Sequence, residues 1–599
     1  MTSFHKHILN TPSELVVDSL KGLAYLNPSI ALDEQHRVIY QRNQREGTVA
    51  LISGGGSGHE PAHASFVGTG ILSAAVAGSV FASPNISQIR RAINIVSSSP
   101  SNKGVLLVVK NYTGDVLHFG LASEQHRASS QGHKTDVRVV IVGDDVSVGR
   151  TQGGLRTRGN DISLQNCRGL AYSGATIDQV ESLANMVANN VATFGVPGTK
   201  PGSSYLNADE LELGMGIHNE PGHTRLRPYP PAKELVATML ESITSTIETD
   251  PERGFLSHGL KKDGKDEVVL LVNNLGAVSQ LELGVIVKEA IAWLRNKKFI
   301  VKRVLSGTYM TSLNMPGYSL TILLLPRGGS PDSKIASATE ILDLLDAPSD
   351  APGWIWYSKN DLSHIDVSPA PPFEDLELEE RGQVCIRPSN SGAFVAAIER
   401  AANALIAAEP EITKQDTIAG DGDAGLTLKA GAEGILRATK DQRIRGVNII
   451  SDLRVVSEVV DATMGGTSGA LYSIYFSALT SALRRVTEAS PETDYANLDV
   501  WASAAKEALK ALYQYTLARP PSRTLIDPLA AFTLALQSPS SESFPHAVEE
   551  ARKAAEQTRT LEARAGRGAY VNQQALTESR VPDPGAWGVW IILNALLVR

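Results

Sequence analysis

The sequence predicts an α/β N-terminal part, a linker and an all-helical C-terminal domain. Three observations carry this reading: short apolar runs that stop at glycine or polar residues, a proline-rich acidic stretch, and helical periodicity beyond it. The runs lie at 49–53, entering Gly54-Gly55-Gly56; at 105–109, ending at Lys110; at 139–142, ending at Gly143; at 268–272, ending at Asn273-Asn274-Leu275-Gly276; and at 320–325. Continuous β-branched runs of this length are buried strands of an α/β sheet. Such sheets place ligands beyond the carboxyl ends of their strands, so the residues after each run are candidates.

Residues 346–382 contain DAPSDAPGWIWYS and VSPAPPFEDLELEE, an aperiodic composition that predicts an interdomain linker. Trp354 and Trp356 predict that part of it packs on a domain. Beyond it, Phe394, Ile398, Ala402 and Leu405 share one helical face, as do Leu471, Ile474, Ala478 and Leu479. The expected division is therefore 1–345, a linker at 346–382, and 383–599. No repeat of solenoid period is found.

The 599 residues are 42% hydrophobic and 20% charged, a globular composition able to bury large cores. Lys+Arg is 56 against 64 Asp+Glu, a net charge of -8, which argues against a nucleic-acid or anionic-membrane partner. Two cysteines, Cys167 and Cys385, exclude a disulfide framework and a Cys-based zinc site, and suit a reducing compartment. The N-terminal MTSFHKHILNTPSELV has no signal-peptide apolar core. The apolar stretch 585–598 is too short to span a bilayer and contains Asn594. A cytoplasmic enzyme is the expected class.

Five constellations can carry chemistry. In the first, SGGGSGHEPAH at 53–63, glycines after a strand let backbone N–H groups approach a ligand, and His59 follows them directly. His59 and His63 have a zinc-compatible spacing, but Pro61 intervenes and a third ligand is needed; a polar-ligand site is favoured over a capped strand–helix turn. In the second, KNYTGD at 110–115, a strand delivers Lys110 and a turn returns Asp115; Lys can hold an oxygen and Asp can accept a proton, yet the same pair also suits a surface ion pair.

The third is DTIAGDGDAG at 416–425. Its glycines match a dinucleotide pattern, but Asp421 and Asp423 would repel a pyrophosphate, and an EF-hand fails because position 12 is Ala432. Carboxylates beside phosphate need cations between them, so Asp416, Asp421 and Asp423 point to magnesium with a nucleotide. The fourth, MGGTSG at 464–469, opens a helix and suits an anion or an ordinary N-cap equally. The fifth joins GRGAY at 566–570 with DPGA at 583–586, an arginine and a tight turn able to close over a nucleotide or to serve structure.

Together these pieces resemble the single-chain, ATP-dependent dihydroxyacetone kinases. ISGGGSGHEPAH, KNYTGDVLHFG, GMGIHNEPG, LVNNLG and SGTYMTSLNMPG resemble the family's substrate-binding part; GDGDAGLTL, MGGTSGALY, RTLIDPL, GRGAYV and DPGAWG resemble its nucleotide-binding part, in the family's order. The resemblance implies two α/β subdomains that bind a triose, and a barrel of about eight helices that holds ATP and two magnesium ions. It implies substrate contacts from Gly56, Ser57, Gly58, His59, Lys110 and Asp115, with His59 and Asp115 as the acid/base pair. It implies Asp416, Asp421 and Asp423 as magnesium ligands, and Ala424, Gly425, Leu426, Thr427, Gly466, Thr467, Arg567, Asp583, Pro584 and Gly585 as nucleotide contacts. A homodimer is the family's habit. The implied reaction is phosphorylation of dihydroxyacetone, with glyceraldehyde as a second substrate.

The resemblance also implies a histidine bonded to the ketone carbon, expected in a loop like Gly-Ala-Ser-Leu-Asp-His-Cys-x-Val-Pro-Gly. Here the chain reads ATFGVPGTK at 192–200, with no histidine, and RGNDISLQNCRGLAYSGAT at 158–176 replaces an apolar helix. His218 of GMGIHNEPG is given no covalent part, so weak substrate binding and poor rejection of glycerol are expected. Two other readings stand beside the kinase: a lyase that splits FAD into AMP and a cyclic flavin phosphate, and a non-catalytic regulatory homologue.

Overall fold

The computed structural model describes residues 14–98, 101–129, 135–149, 169–197, 209–218, 220, 222–256, 258–327, 336–355, 384–489, 494–537, 543–570 and 573–597. The chain forms two compact units, Met1–Pro369 and Ala370–Arg599.

Among the described residues the first unit holds three sheets. One has the order β1-β2-β4-β3-β5-β6, built from β1 (Ile30–Asp33), β2 (Val38–Gln41), β3 (Ala50–Ser57), β4 (Ala74–Val80), β5 (Val105–Lys110) and β6 (Val137–Val142). β4, β3, β5 and β6 run parallel, and β1 and β2 add antiparallel at one edge. The second sheet, β11-β10-β12-β7, uses β7 (Val191–Pro197), β10 (Glu267–Asn274), β11 (Ile300–Gly307) and β12 (Gly317–Leu324). A small ribbon, β8 (Leu211–Leu213) with β9 (Thr224–Leu226), stands beside it.

Seven helices of this unit are α1 (Leu15–Leu26), α2 (Ile86–Val96), α3 (Thr113–Arg127), α4 (Ile177–Asn189), α5 (Ala232–Ile243), α6 (Gln280–Asn296) and α7 (Ala338–Leu345). Four begin with a reciprocal cap: Asn85 with Gln88, Thr176 with Gln179, Ser279 with Glu282, and Ser337 with Glu340. Each pair satisfies two backbone donors at a helix start, a device readable in the sequence. The five predicted runs are all strands. One detail differs: β3 runs through the glycines to Ser57, pairing Gly54 with Val76 and Gly55 with Ala77, and a single 3-10 turn follows instead of a long helix. Ladder pairing on β4 keeps the glycines extended.

Residues 346–355 pack on this unit. Trp354 is buried, with its ring 6.3 Å from Phe66 and 5.3 Å from Tyr309, and the Tyr309 hydroxyl donates to the Ile355 carbonyl at 2.8 Å. Trp356 lies outside the described residues.

The second unit is helical: α8 (Ser391–Ala419), α9 (Ala424–Lys440), α10 (Ile449–Thr463), α11 (Gly466–Ala489), α12 (Leu498–Leu512), α13 (Ile526–Leu536), α14 (Ser543–Gln557), short α15 (Gln573–Ser579) and α16 (Pro584–Leu596). Eight of these are long, as the resemblance implied. They surround an apolar cavity of about 420 Å³ lined by residues such as Leu405, Leu428, Tyr472 and Phe532. No described helix is long and apolar enough to cross a membrane.

Candidate functional site

In the first unit, the ends of β3 and β5 and the loops of the second sheet bring His59, Lys110, Asp115 and His218 into one cluster, with Tyr112 lying against both Lys110 and His218. β5 delivers Lys110 as its last residue, and Asp115 occupies the first turn of α3, where a carboxylate suits the helix dipole. Their Nζ and Oδ2 lie 3.9 Å apart, and Lys110 is 0% exposed, so this is not a surface ion pair. Gly55 makes room for it: its φ is +157°, and a Cβ there would stand 2.7 Å from Lys110 Nζ.

His59 is fully buried. Its Nδ1 lies 2.7 Å from the Thr311 carbonyl, and its Nε2 lies 3.0 Å from Nε2 of His218. A carbonyl can only accept, so Nδ1 of His59 carries a proton. Burial, then the Lys110 charge and His218, hold the His59 pKa well below its ordinary value, which keeps the ring neutral. A neutral ring protonated on Nδ1 has a lone pair on Nε2, so His218 donates from its own Nε2. His218 is further packed edge-on by Tyr112 at 4.4 Å and by Phe81 at 5.6 Å. Gly58 donates its N–H to Glu60 at 2.9 Å, and burial raises the Glu60 pKa.

His218 is the residue that the sequence reading named but gave no part in the chemistry. Its signal was the glycine-rich GMGIHNEPG motif itself, which lies 159 residues from His59 in sequence. The loop at 198–203, where the covalent histidine was sought, lies outside the described residues, as do Cys167 and residues 150–168. The zinc spacing of His59 and His63 finds no third ligand: among the described residues, the only metal-compatible group of three or more is Asp416, Asp421 and Asp423.

That group lies in the second unit, with donor atoms all within 4.8 Å of one another. Asp416 comes from the last turns of α8 and is buried; Asp421 and Asp423 are exposed in the turn before α9. The Asp416 carboxylate accepts the Ala424 N–H at 2.9 Å, which fixes the turn. A buried, anchored carboxylate with two exposed ones suits a hard divalent cation. Ala424, Gly425, Leu426 and Thr427 then form the first turn of α9, whose N-terminus favours anions. Gly466 and Thr467 open α11 and are exposed.

The remaining motifs converge behind this loop. Asp583 caps α16 by accepting the Ala586 N–H at 2.8 Å, and Pro584 and Gly585 form the first turn. Burial pushes the Asp583 pKa up to about 6, opposed by Arg523 and reinforced by Asp527 and Asp416. Arg567 opens a 3-10 turn to Tyr570; its side chain lies outside the described part.

Known families divide the chain in the same way. The Dak1 domain matches residues 21–353 and the DAK2 domain matches 418–598, so the class is a two-module Dak1–DAK2 chain. The chain is 38% identical to a dihydroxyacetone kinase of Pichia angusta, over 98% of this chain and 97% of that one. It is 38% identical to dihydroxyacetone kinase 2 of Saccharomyces cerevisiae (99% of each) and 36% identical to a triokinase/FMN cyclase of Rattus norvegicus (99% and 98%). The solved dihydroxyacetone kinase from C. freundii in complex with AMP-PNP and Mg2+ superposes with a TM-score of 0.65 at 26% identity, covering 99% of each chain. The chain belongs to the dihydroxyacetone kinase family.

Proposed function

We propose that this protein is an ATP-dependent kinase that converts dihydroxyacetone to dihydroxyacetone phosphate and also accepts glyceraldehyde. The observation that carries the reading is the pairing in one chain of a His59–His218–Lys110–Asp115 cluster with a three-carboxylate loop. The triose binds at the cluster, against Gly56, Ser57 and Gly58, with Lys110 holding an oxygen. His59 and Asp115 take the hydroxyl proton as its oxygen gains the phosphoryl group and ADP leaves with the electron pair of the broken bond.

Asp416, Asp421 and Asp423 hold magnesium. With the nucleotide bound, the metal neutralises charge on the transferring phosphate. Two ions follow the family expectation. The N-termini of α9 and α11, Arg567 and the Asp583-Pro584-Gly585 turn hold the nucleotide.

The missing loop histidine does not leave the cluster without an imidazole, because His218 faces His59 there. We assign the ketone bond to His218. His59 Nε2 removes the His218 Nε2 proton, that nitrogen adds to the carbonyl carbon, and the proton passes to the carbonyl oxygen to complete a hemiaminal. Weak triose binding is therefore no longer expected.

A homodimer in the cytoplasm completes the proposal, with the family's habit and the exposed unbridged Cys385 in its support. The test is purified protein with dihydroxyacetone and Mg·ATP: triose phosphate is expected, and its absence refutes the kinase. A second reading, FMN cyclase, is favoured by the rat relative's name. Manganese-dependent release of AMP and cyclic flavin from FAD would establish it. No turnover in either assay would leave the non-catalytic homologue.

A further inference from the structure

We infer that Arg523 is the positioning residue of the nucleotide site: its guanidinium holds the GRGAY loop and the α16 N-terminus in register with the carboxylate loop. This rests on the nucleotide-site reading above. Arg523 is 1% exposed, yet its backbone is left-handed, with φ of +58°. That conformation is costly for a residue with a side chain and persists only where the surroundings enforce it. Asp527 enforces it, taking the N–H of Ser522 at 2.9 Å on one oxygen and that of Thr524 at 2.8 Å on the other. The turn is thus pinned on both sides of Arg523 and aims its side chain inward.

The guanidinium then bridges segments far apart in sequence. Nε donates to the Thr558 carbonyl just past α14, and Nη2 donates to the Val581 carbonyl two residues before Asp583, both at 2.9 Å. Thr558 extends the link, since its hydroxyl accepts the Asp583 N–H at 2.8 Å. Nη1 has no hydrogen-bond partner among the described residues and lies against Gly568, where a Cβ would stand 3.4 Å from it and 3.6 Å from the Ala419 carbonyl. Gly568 neighbours Arg567, and Ala419 ends the helix that carries Asp416. One rigid cation therefore touches the supports of three proposed nucleotide-binding segments. A planar fork holds the two carbonyls from separate nitrogens in a fixed geometry, whereas the rotatable donors of a lysine all sit on one nitrogen.

The test compares full-length Arg523→Gln, Arg523→Lys and Gly568→Ala, with Asp421→Asn as control. It measures Mg·AMP-PNP affinity by calorimetry, both KM values, and melting. Arg523→Gln should weaken Mg·AMP-PNP and raise the KM for ATP by roughly 10- to 100-fold, the worth of lost charged hydrogen bonds, while the KM for dihydroxyacetone stays put. Arg523→Lys, which keeps the charge and can reach one carbonyl, should fall between. If Arg523→Gln does not fold, Gly568→Ala carries the test: its methyl would stand against Nη1 at 3.4 Å and crowd the Ala563 Cβ at 3.1 Å, displacing the loop that Arg523 supports, and should weaken the nucleotide alone. Earlier melting with wild-type nucleotide affinity, or an equal rise in both KM values, overturns the inference. If Asp421→Asn itself binds Mg·AMP-PNP normally, the nucleotide-site reading fails; if it does not while Arg523→Gln does, only the role of Arg523 falls.

Discussion

Burial and the Lys110 charge move the His59 pKa well below its ordinary 6.5, and a base so placed keeps its lone pair through neutral pH. The acid limb of kcat/KM should accordingly lie below pH 6.5, and Lys110→Met should move it upward. The same shift bears on stability. Between the folded and unfolded pKa values the unfolded chain binds the extra proton, so this group's contribution falls as pH drops below 6.5 and is complete above it. His59→Ala should slow the chemical step by roughly 10²- to 10⁴-fold with the KM for ATP nearly unchanged. Loss of ATP binding with the step intact would contradict the assignment. At the other site, Asp421→Asn or Asp423→Asn should abolish turnover and weaken Mg·ATP, because a neutral amide cannot replace a charged ligand. Wild-type turnover at ordinary magnesium would remove the carboxylates from the mechanism.

At the scale of elements, the contact between α8 and α9 sets where the carboxylate loop stands. Gly425 in the first turn of α9 lies against α8 so closely that an added Cβ would be 2.6 Å from the Glu409 carbonyl and 2.7 Å from the Thr413 N. Backbone cannot give way as a side-chain tip can. Gly425→Ala should therefore cost about 1–3 kcal/mol of stability, as overpacking does, and should shift the loop between the helices. A melting curve matching the wild type, with unchanged magnesium affinity, would show that the crossing tolerates the methyl.

At the scale of the molecule, two compact units with separate cores are expected to respond separately to their ligands. Calorimetric scans should resolve two transitions. Mg·AMP-PNP should raise one and dihydroxyacetone the other, each by the binding free energy, about 2.7 kcal/mol at a hundred times Kd. A single transition moved equally by both ligands would mean that the units melt as one body.

What the sequence determined by itself is whatever depends on neighbours in the chain. The strands beginning at Ala50, Val105 and Glu267 were legible because a buried strand is a continuous apolar run; the capped helix starts went unread, although each cap lies only three residues from its partner. The Asp421-Gly422-Asp423 turn could be read as a cation site because its carboxylates are two residues apart and Asp416 is one helix turn upstream. Short strands such as β1 and β2 were missed, since four residues carry little periodicity. Only the tertiary structure decided that His218 meets His59 and that Arg523 ties Thr558 to Val581. Those contacts span 159, 35 and 58 residues, and long-range packing, not local pattern, brings such groups within hydrogen-bond reach.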